Sequence, residues 1–267
     1  MQYHDVACDY ALKVITRPDS LFHGQYTVDP YQNCAFGCLY CDSASETVDV
    51  KINIAEVLTQ ELQKVPRGRV ILGSVHDPYQ PVEERTGLSR SILSALRDHG
   101  FSCHILTKSP LVLRDLPLIV SFDCAVTVSL LSVNETVAQV FEPSVVSPQE
   151  RLVMVRLLRD VGVTAGVALL PVLPLIVEPD LEATVDAAAN AHASYLLFKH
   201  LELQGEQRGR FMEILRDRYP GFVSHYQQLY KNAISPDHEY LDSMTTRIET
   251  LCRRKQLKNR MPEGRLR

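Results

Sequence analysis

No stretch of the 267-residue chain stays apolar for the 18 or so residues that a membrane-spanning helix requires. The opening "MQYHDVACDY" lacks the basic start and apolar core of a secretory leader. A cytoplasmic protein with no membrane partner is therefore the expectation. Positive charge is also in short supply. With 28 Lys and Arg against 32 Asp and Glu, the formal net charge is −4, which argues against capture of nucleic acid by the surface at large. A local basic patch is still allowed in "RRKQLKNRMPEGRLR" (253–267), which reads first as a solvated end and second as a contact with nucleic acid or a partner. Linker-like and low-complexity segments are missing between residues 20 and 205. The cysteines number seven, an odd count without the spacing of a disulfide framework, as suits a reducing compartment where thiols stay free for metals.

What is present is the composition of an ordinary globular protein, 45% apolar and 22% charged. A chain of this length buries about three quarters of its unfolded surface, so a metal is not needed merely to hold it together. Short apolar runs alternate with helix-length amphipathic stretches. The runs are "RVILGSV" (69–75), "FSCHILTK" (101–108), "DCAVTVSLL" (123–131), "GVTAGVALLPVLPLIV" (162–177) and "SYLLFKHLEL" (194–203). Continuous apolar character marks strands covered on both faces. Between them, "NIAEVLTQELQK" sets Ile54, Val57, Leu58 and Leu62 on one side, and "LSRSILSALRDHG" does the same with Leu88, Ile92 and Leu96 before stopping at Gly100. "SPQERLVMVRLLRDVG" supplies Ser147 as N-cap, Glu150 to close a capping box, and Gly162 past the end.

Strand and helix in alternation read as parallel βαβ units. With a first strand near "QYTVDP" (25–30) there are about six of them. The expected fold is α/β, a partial (βα)6 TIM-type barrel over 25–205, preceded by an N-terminal extension (1–24) and followed by a helical C-terminal extension with a basic tail (206–267). Chemistry in such sheets gathers beyond the carboxyl ends of the strands.

At that end, directly after the first strand, stands "YQNCAFGCLYCDS" (31–43). Cys34, Cys38 and Cys41 lie in C-x3-C-x2-C spacing on a loop, with no fourth cysteine nearby. Tetrahedral zinc usually takes two separated C-x2-C pairs, whereas three thiolates from one loop reach three corners of an iron–sulfur cube. Such clusters normally take four cysteines, so a fourth iron left open becomes the place where a cofactor binds. Two other readings stay open: a structural zinc completed by Cys8, Cys103, Cys252 or His23, and an electron-transfer or redox-sensing cluster with a distant fourth ligand.

The spacing, with Tyr40 just before the third cysteine, resembles the signature of the radical SAM superfamily. The lead-in "VDPYQNC" resembles the entry of the branch containing spore photoproduct lyase. "GSVHDPYQPVE" (73–83), "ILTKSPLVLRD" (105–115), "VTVSLLS" (126–132), "FEPSVVSPQERL" (141–152) and "GVALLPVLPLI" (166–176) are similar to that branch in the same order. The resemblance implies a [4Fe–4S] cluster on the three cysteines and S-adenosylmethionine on its open iron. Reductive cleavage would then yield a 5′-deoxyadenosyl radical for hydrogen abstraction, driven by an external one-electron donor such as flavodoxin or ferredoxin.

The resemblance also suggests cofactor contacts. Lys108 and Ser129 would meet the methionine carboxylate, the backbone around Tyr40 the adenine, and Gly73 and Ser74 the methionine amino group, although the usual GGE form is absent. Glu142 and Arg151 would touch the cofactor or form a surface pair. Asp77 and Tyr79 would meet substrate, or Asp77 would fix the turn before Pro78; His76 is expected to be structural or exposed. Spore photoproduct lyase uses a cysteine in the second-strand region, and this chain has "VILGSVHD" there with Ser74 and no thiol. DNA photoproduct repair is thus the alternative rather than the leading reading. The leading one is radical chemistry on an unidentified protein or nucleic acid substrate.

Overall fold

The computed structural model describes residues 1–17, 19–231 and 233–262. Its main sheet holds six strands in parallel: β3 (Tyr26–Val28), β6 (Arg69–Leu72), β7 (Ser102–Thr107), β8 (Cys124–Ser129), β9 (Thr164–Val172) and β10 (Leu196–His200), in the spatial order β10-β9-β8-β7-β6-β3. The short strand β2 (Lys13–Val14) closes the β3 edge in antiparallel fashion. These six parallel strands are the first strand expected near 25–30 and the five apolar runs of the sequence, and the architecture is the partial barrel they imply. A smaller sheet, β1 (Gln2–Val6), β5 (Thr47–Lys51) and β4 (Tyr31–Gln32), sits beside it. The segment 1–24 therefore adds β1 and β2 to the two sheets, which the short and mostly polar stretches QYHDV and KV do not announce.

Helices cover the outside of the curved sheet: α1 (Ile54–Leu62), α2 (Glu83–Thr86), α3 (Leu88–Asp98), α4 (Leu116–Ile119), α5 (Glu135–Phe141), α6 (Pro148–Asp160) and α7 (Leu181–Asn190). After β10 come α8 (Gly205–Arg218), α9 (Val223–Leu229) and α10 (His238–Arg254). Helix α6 starts with the expected capping box between Ser147 and Glu150, and Gly162 beyond its end takes φ +83°. No helix among the described residues is long and apolar enough to cross a membrane.

Two apolar cores explain the uninterrupted strand sequences. Val70, Leu72, Cys103, Ile105, Val126, Val128 and Val167 pack outward in the large core beneath the helices. Their alternates Ile71, Ala125, Ala168 and Leu197 line the barrel lumen with Phe22, Tyr195 and Met261. Gly166 is required there, because a Cβ at this position would lie 2.3 Å from the Tyr195 ring.

Met261 comes from the C-terminal segment. Leu196 donates its N–H to the Lys258 carbonyl (2.8 Å), and Met261, 2% exposed, enters the lumen at its floor. The start of the basic tail is thus docked rather than loose, while Arg265 and Arg267 lie outside the described residues. Met261→Ala is expected to cost about 2–5 kcal/mol, the range for emptying a buried methionine site. Urea unfolding measures it, and a change under about 1 kcal/mol would mean that the floor is not sealed by this side chain.

Candidate active site

The cysteine loop follows β3 and β4 and is stitched to itself. Cys34 donates its N–H to the Ser43 carbonyl (2.8 Å), Ser45 returns an N–H to the Cys34 carbonyl (3.3 Å), and Cys41 donates to the Cys38 carbonyl (3.0 Å). Other elements hold it from outside. The Leu39 N–H donates to the Phe141 carbonyl at the end of α5 (2.9 Å). Buried Gln80 brackets Cys34, with Oε1 accepting from Ala35 N–H (2.9 Å) and Nε2 donating to the Asn33 carbonyl (3.0 Å). From α8, Gln207 donates to the Tyr40 carbonyl and Arg210 to the Cys41 carbonyl (3.2 Å). The loop geometry is therefore set by buried amides from both sides before any ligand is considered.

Cys34 and Cys38 are buried and Cys41 is half-buried. Burial pushes the Cys34 thiol up to about 11, with Asp77 adding to the rise and Lys108 opposing it. Burial likewise raises Cys38 to about 12 against the pull of Lys108, and the charges of Glu142, Cys41 and Cys34 push in the same direction as burial. Cys38 therefore stands in the field of the other two thiols. Burial alone would lower the pKa of Lys108, yet Cys38, Glu142, Asp77 and Cys41 reverse this and hold it above the ordinary lysine range. Its ammonium lies 5.9 Å from the centroid of the Tyr40 ring.

Among the described residues, no three His, Cys, Asp or Glu side chains converge closely enough to bind one metal ion. Thiolates 2.3 Å from a single tetrahedral zinc would stand about 3.8 Å apart; thiolates on separate irons of one cube stand wider, which suits a three-cornered loop. The partners considered for a fourth ligand lie elsewhere. Cys103 and Cys124 start β7 and β8 at the opposite end of the sheet, Cys252 belongs to α10, and His23 precedes β3. Cys8 sits among Lys51, Glu61 and Asp9.

A buried polar chain runs from the loop to β8. Tyr40 donates its hydroxyl to Glu142 Oε1. Glu142 Oε2 lies 2.7 Å from Arg151 Nη1, which also donates to the Ser129 carbonyl (3.0 Å). Glu142 and Arg151 side chains are 0% and 1% exposed, so the surface pair considered from sequence is an interior one. Its geometry leaves Arg151 Nε and Nη2 and Ser129 Oγ buried without a partner. Three unspent polar atoms at the end of β8, with the Lys108 ammonium at the end of β7, are what an anionic group bound beside the loop needs. The residues present thus fit both a cluster and the amino-acid portion of the expected cofactor.

Other expected contacts fall differently. Tyr79 is fully buried and donates to Asp115 Oδ2 (3.1 Å), so it braces the helical layer and does not meet substrate. Asp77 ties strand ends together, accepting from Tyr79 N–H (2.9 Å), Thr107 Oγ1 (2.7 Å) and Lys108 N–H (2.7 Å); it fixes the turn. Ser74 donates to Asp29 Oδ2 (3.2 Å), which occupies the proton it would offer a cofactor. Gly73 holds φ +89°, where a Cβ would lie 2.6 Å from the Leu106 carbonyl, so its role is close packing. The Tyr40 carbonyl is taken by Gln207. His76 is buried with Nδ1 unpartnered, and burial lowers its pKa while Asp29 opposes the fall.

Gln80, Gln207 and Arg210 were not anticipated. Gln80 lay inside the "GSVHDPYQPVE" block, which was a usable signal; Gln207 stands 167 residues from Tyr40 and offered none. A cleft of about 800 Å³ is lined by Arg67, Arg69, Phe101, Phe122 and Met261 at the amino ends of the strands. Size alone would favour it, but the thiols, the lysine and the unspent donors are at the other end.

A family model described as the Radical SAM superfamily matches residues 28–188. An uncharacterized protein of Mycobacterium tuberculosis is 32% identical over 278 residues, covering 96% of this chain and 81% of the relative. Another, of Methanocaldococcus jannaschii, is 25% identical over 215 residues, with 76% and 80% covered. Among solved structures, a mutant of spore photoproduct lyase is similar in fold with a TM-score of 0.71 at 15% identity, covering 95% of this chain and 79% of that one. Streptococcus suis SuiB bound to S-adenosylmethionine gives 0.59 at 11% identity, covering 90% and 50%.

Proposed function

Because the chain belongs to the radical SAM superfamily, we propose that Cys34, Cys38 and Cys41 carry a [4Fe–4S] cluster whose remaining iron is left to S-adenosylmethionine. The observation that supports this most is the meeting of three loop thiols with the Lys108 ammonium at the carboxyl ends of the strands. When bound, these groups supply one-electron cleavage of the sulfonium to a 5′-deoxyadenosyl radical that takes a hydrogen atom from substrate.

The protein's own residues bind, orient and exclude water. Lys108 neutralises the cofactor carboxylate and Ser129 Oγ donates to it, each acting where little solvent competes. Arg151 holds the Ser129 carbonyl and Glu142, and through Glu142 the Tyr40 ring, so the loop and β8 keep a fixed spacing. Below them Ile71, Ala125 and Ala168 pack the lumen around a buried His104–Thr127–Tyr195 hydrogen-bonded chain, and this close packing keeps water from a reactive carbon. On the β3 and β6 side, His76, whose Nδ1 has no partner, is a polar group left for a substrate, a protein or nucleic acid. A flavodoxin or ferredoxin is the expected electron donor.

The test is incubation of reduced, cluster-reconstituted enzyme with S-adenosylmethionine. 5′-Deoxyadenosine is the expected product, and its absence with intact cluster overturns the reading. An electron-transfer or sensing protein with a fourth protein ligand predicts no change in the cluster's paramagnetic resonance when S-adenosylmethionine is added. Lys108→Ala is expected to weaken cofactor binding about 10- to 100-fold, the worth of a hydrogen bond to a charged group, with iron content unchanged; wild-type affinity would remove Lys108 from the site.

A further inference from the structure

The base of the sheet holds two thiols that the proposed chemistry leaves unused. Cys103 on β7 and Cys124 on β8 are register partners across adjacent parallel strands. Both point to the same outer face, into the helix-covered core, and they are 1% and 7% exposed. Neighbouring strands run about 4.8 Å apart, inside the Cα separation of about 4.4–6.8 Å that a disulfide spans. After burial, the Cys103 thiol is the neighbour that most raises the Cys124 thiol. Cys124 also lines a cavity of about 180 Å³ with Val120, Phe122 and Val161, two of which, Val120 and Val161, are exposed. The pair is therefore matched in register, side by side and reachable by a small reagent from one side.

We propose that Cys103 and Cys124 are a thiol–disulfide exchange site, forming a reversible cross-strand disulfide separate from the loop cysteines. The oxidant is a small disulfide. The Cys124 thiolate attacks one of its sulfurs, giving a mixed disulfide and releasing one thiol. The Cys103 thiolate then attacks Cys124 Sγ, forming the intramolecular bond and expelling the second thiol. The two cysteine protons end on the two released thiols, and the protein loses two electrons while the reagent gains them. A bond between adjacent strands sits near the short limit of disulfide geometry, so it is strained and readily reduced. Burial raises the Cys124 thiol well above its ordinary range, and the Cys103 thiol and Asp123 push the same way, so exchange is slow near neutral pH. Cys103 stands five residues before Lys108 and Cys124 five before Ser129; the crosslink would tie together the two strands that present those side chains.

The experiment treats the cluster-loaded enzyme anaerobically with hydroxyethyl disulfide, quenches with acid, alkylates free thiols and maps tryptic peptides by mass spectrometry. The expected result is peptide 98–108 joined to peptide 115–151, reversed by dithiothreitol, with buried Cys252 alkylated only after denaturation. Cys103→Ala is expected to stop at the mixed disulfide on Cys124. Reduced Cys103 and Cys124 under conditions that modify half-buried Cys8 would overturn the proposal. So would linkage seen only when Cys252 is modified as well, since that marks unfolding. None of these readouts depends on S-adenosylmethionine cleavage, so the site stands or falls apart from the proposed function.

Discussion

Cys38→Ala is expected to leave a folded chain that assembles essentially no iron–sulfur cluster under anaerobic reconstitution. Cys38 is the middle thiol of the loop, 6% exposed, and the one whose field includes both other cysteines, Glu142 and Lys108. Removing it leaves Cys34 and Cys41 as two ligands on a loop that also has to leave one iron open, and chelation by two thiolates does not hold a cube. The fold should survive, because the loop is pinned by Gln80, Leu39 and Gln207 through backbone groups that the substitution leaves alone. Iron and sulfide content per chain, with circular dichroism for folding, measures it. Wild-type iron content would reject Cys38 as a ligand and with it the loop as the cluster site.

Arg151→Ala should be the most destabilising single change in the site, by about 3–5 kcal/mol, because it strands the Glu142 carboxylate in a dry interior. The side chains are 1% and 0% exposed and meet at 2.7 Å, so water cannot replace the missing partner. Arg151 also lends a donor to the Ser129 carbonyl, and Glu142 accepts from Tyr40. Loosening should therefore spread to the cysteine loop. Urea unfolding gives the cost; a loss below about 1 kcal/mol would show the pair to be solvated. Removing both charges, as Glu142→Leu with Arg151→Met, is expected to recover much of the stability, since an apolar pair of similar volume often equals a buried ion pair.

The sequence displayed much of this architecture because strands covered on both faces leave long apolar runs and helices leave caps. All six parallel strands and the α6 capping box were legible for that reason. The loop thiols were legible because ligands from one loop must be close in sequence. What stayed hidden was cross-chain pairing. Tyr79 looked like a substrate contact and Asp77 read equally as one or as the residue fixing the turn, since nothing in "HDPYQP" reveals that Asp115 and the end of β7 lie opposite them. Gln80 and Gln207 are neutral amides whose value comes only from the carbonyls they meet. In the segment 1–24 the strands are the exposed, mostly polar stretches QYHDV and KV, which form by adding to an existing edge and carry no apolar run of their own.

The clamp between Gln207 and the Tyr40 carbonyl also sets an order of events during synthesis. The cysteine loop emerges 167 residues before the side chain that fastens it. At roughly 5–20 residues per second, that interval lasts about 8 to 33 seconds, during which the thiols are exposed on an unfinished barrel. If the loop holds the proposed cluster, iron is expected to enter after α8 has emerged, and nascent chains halted before α8 should be metal-free.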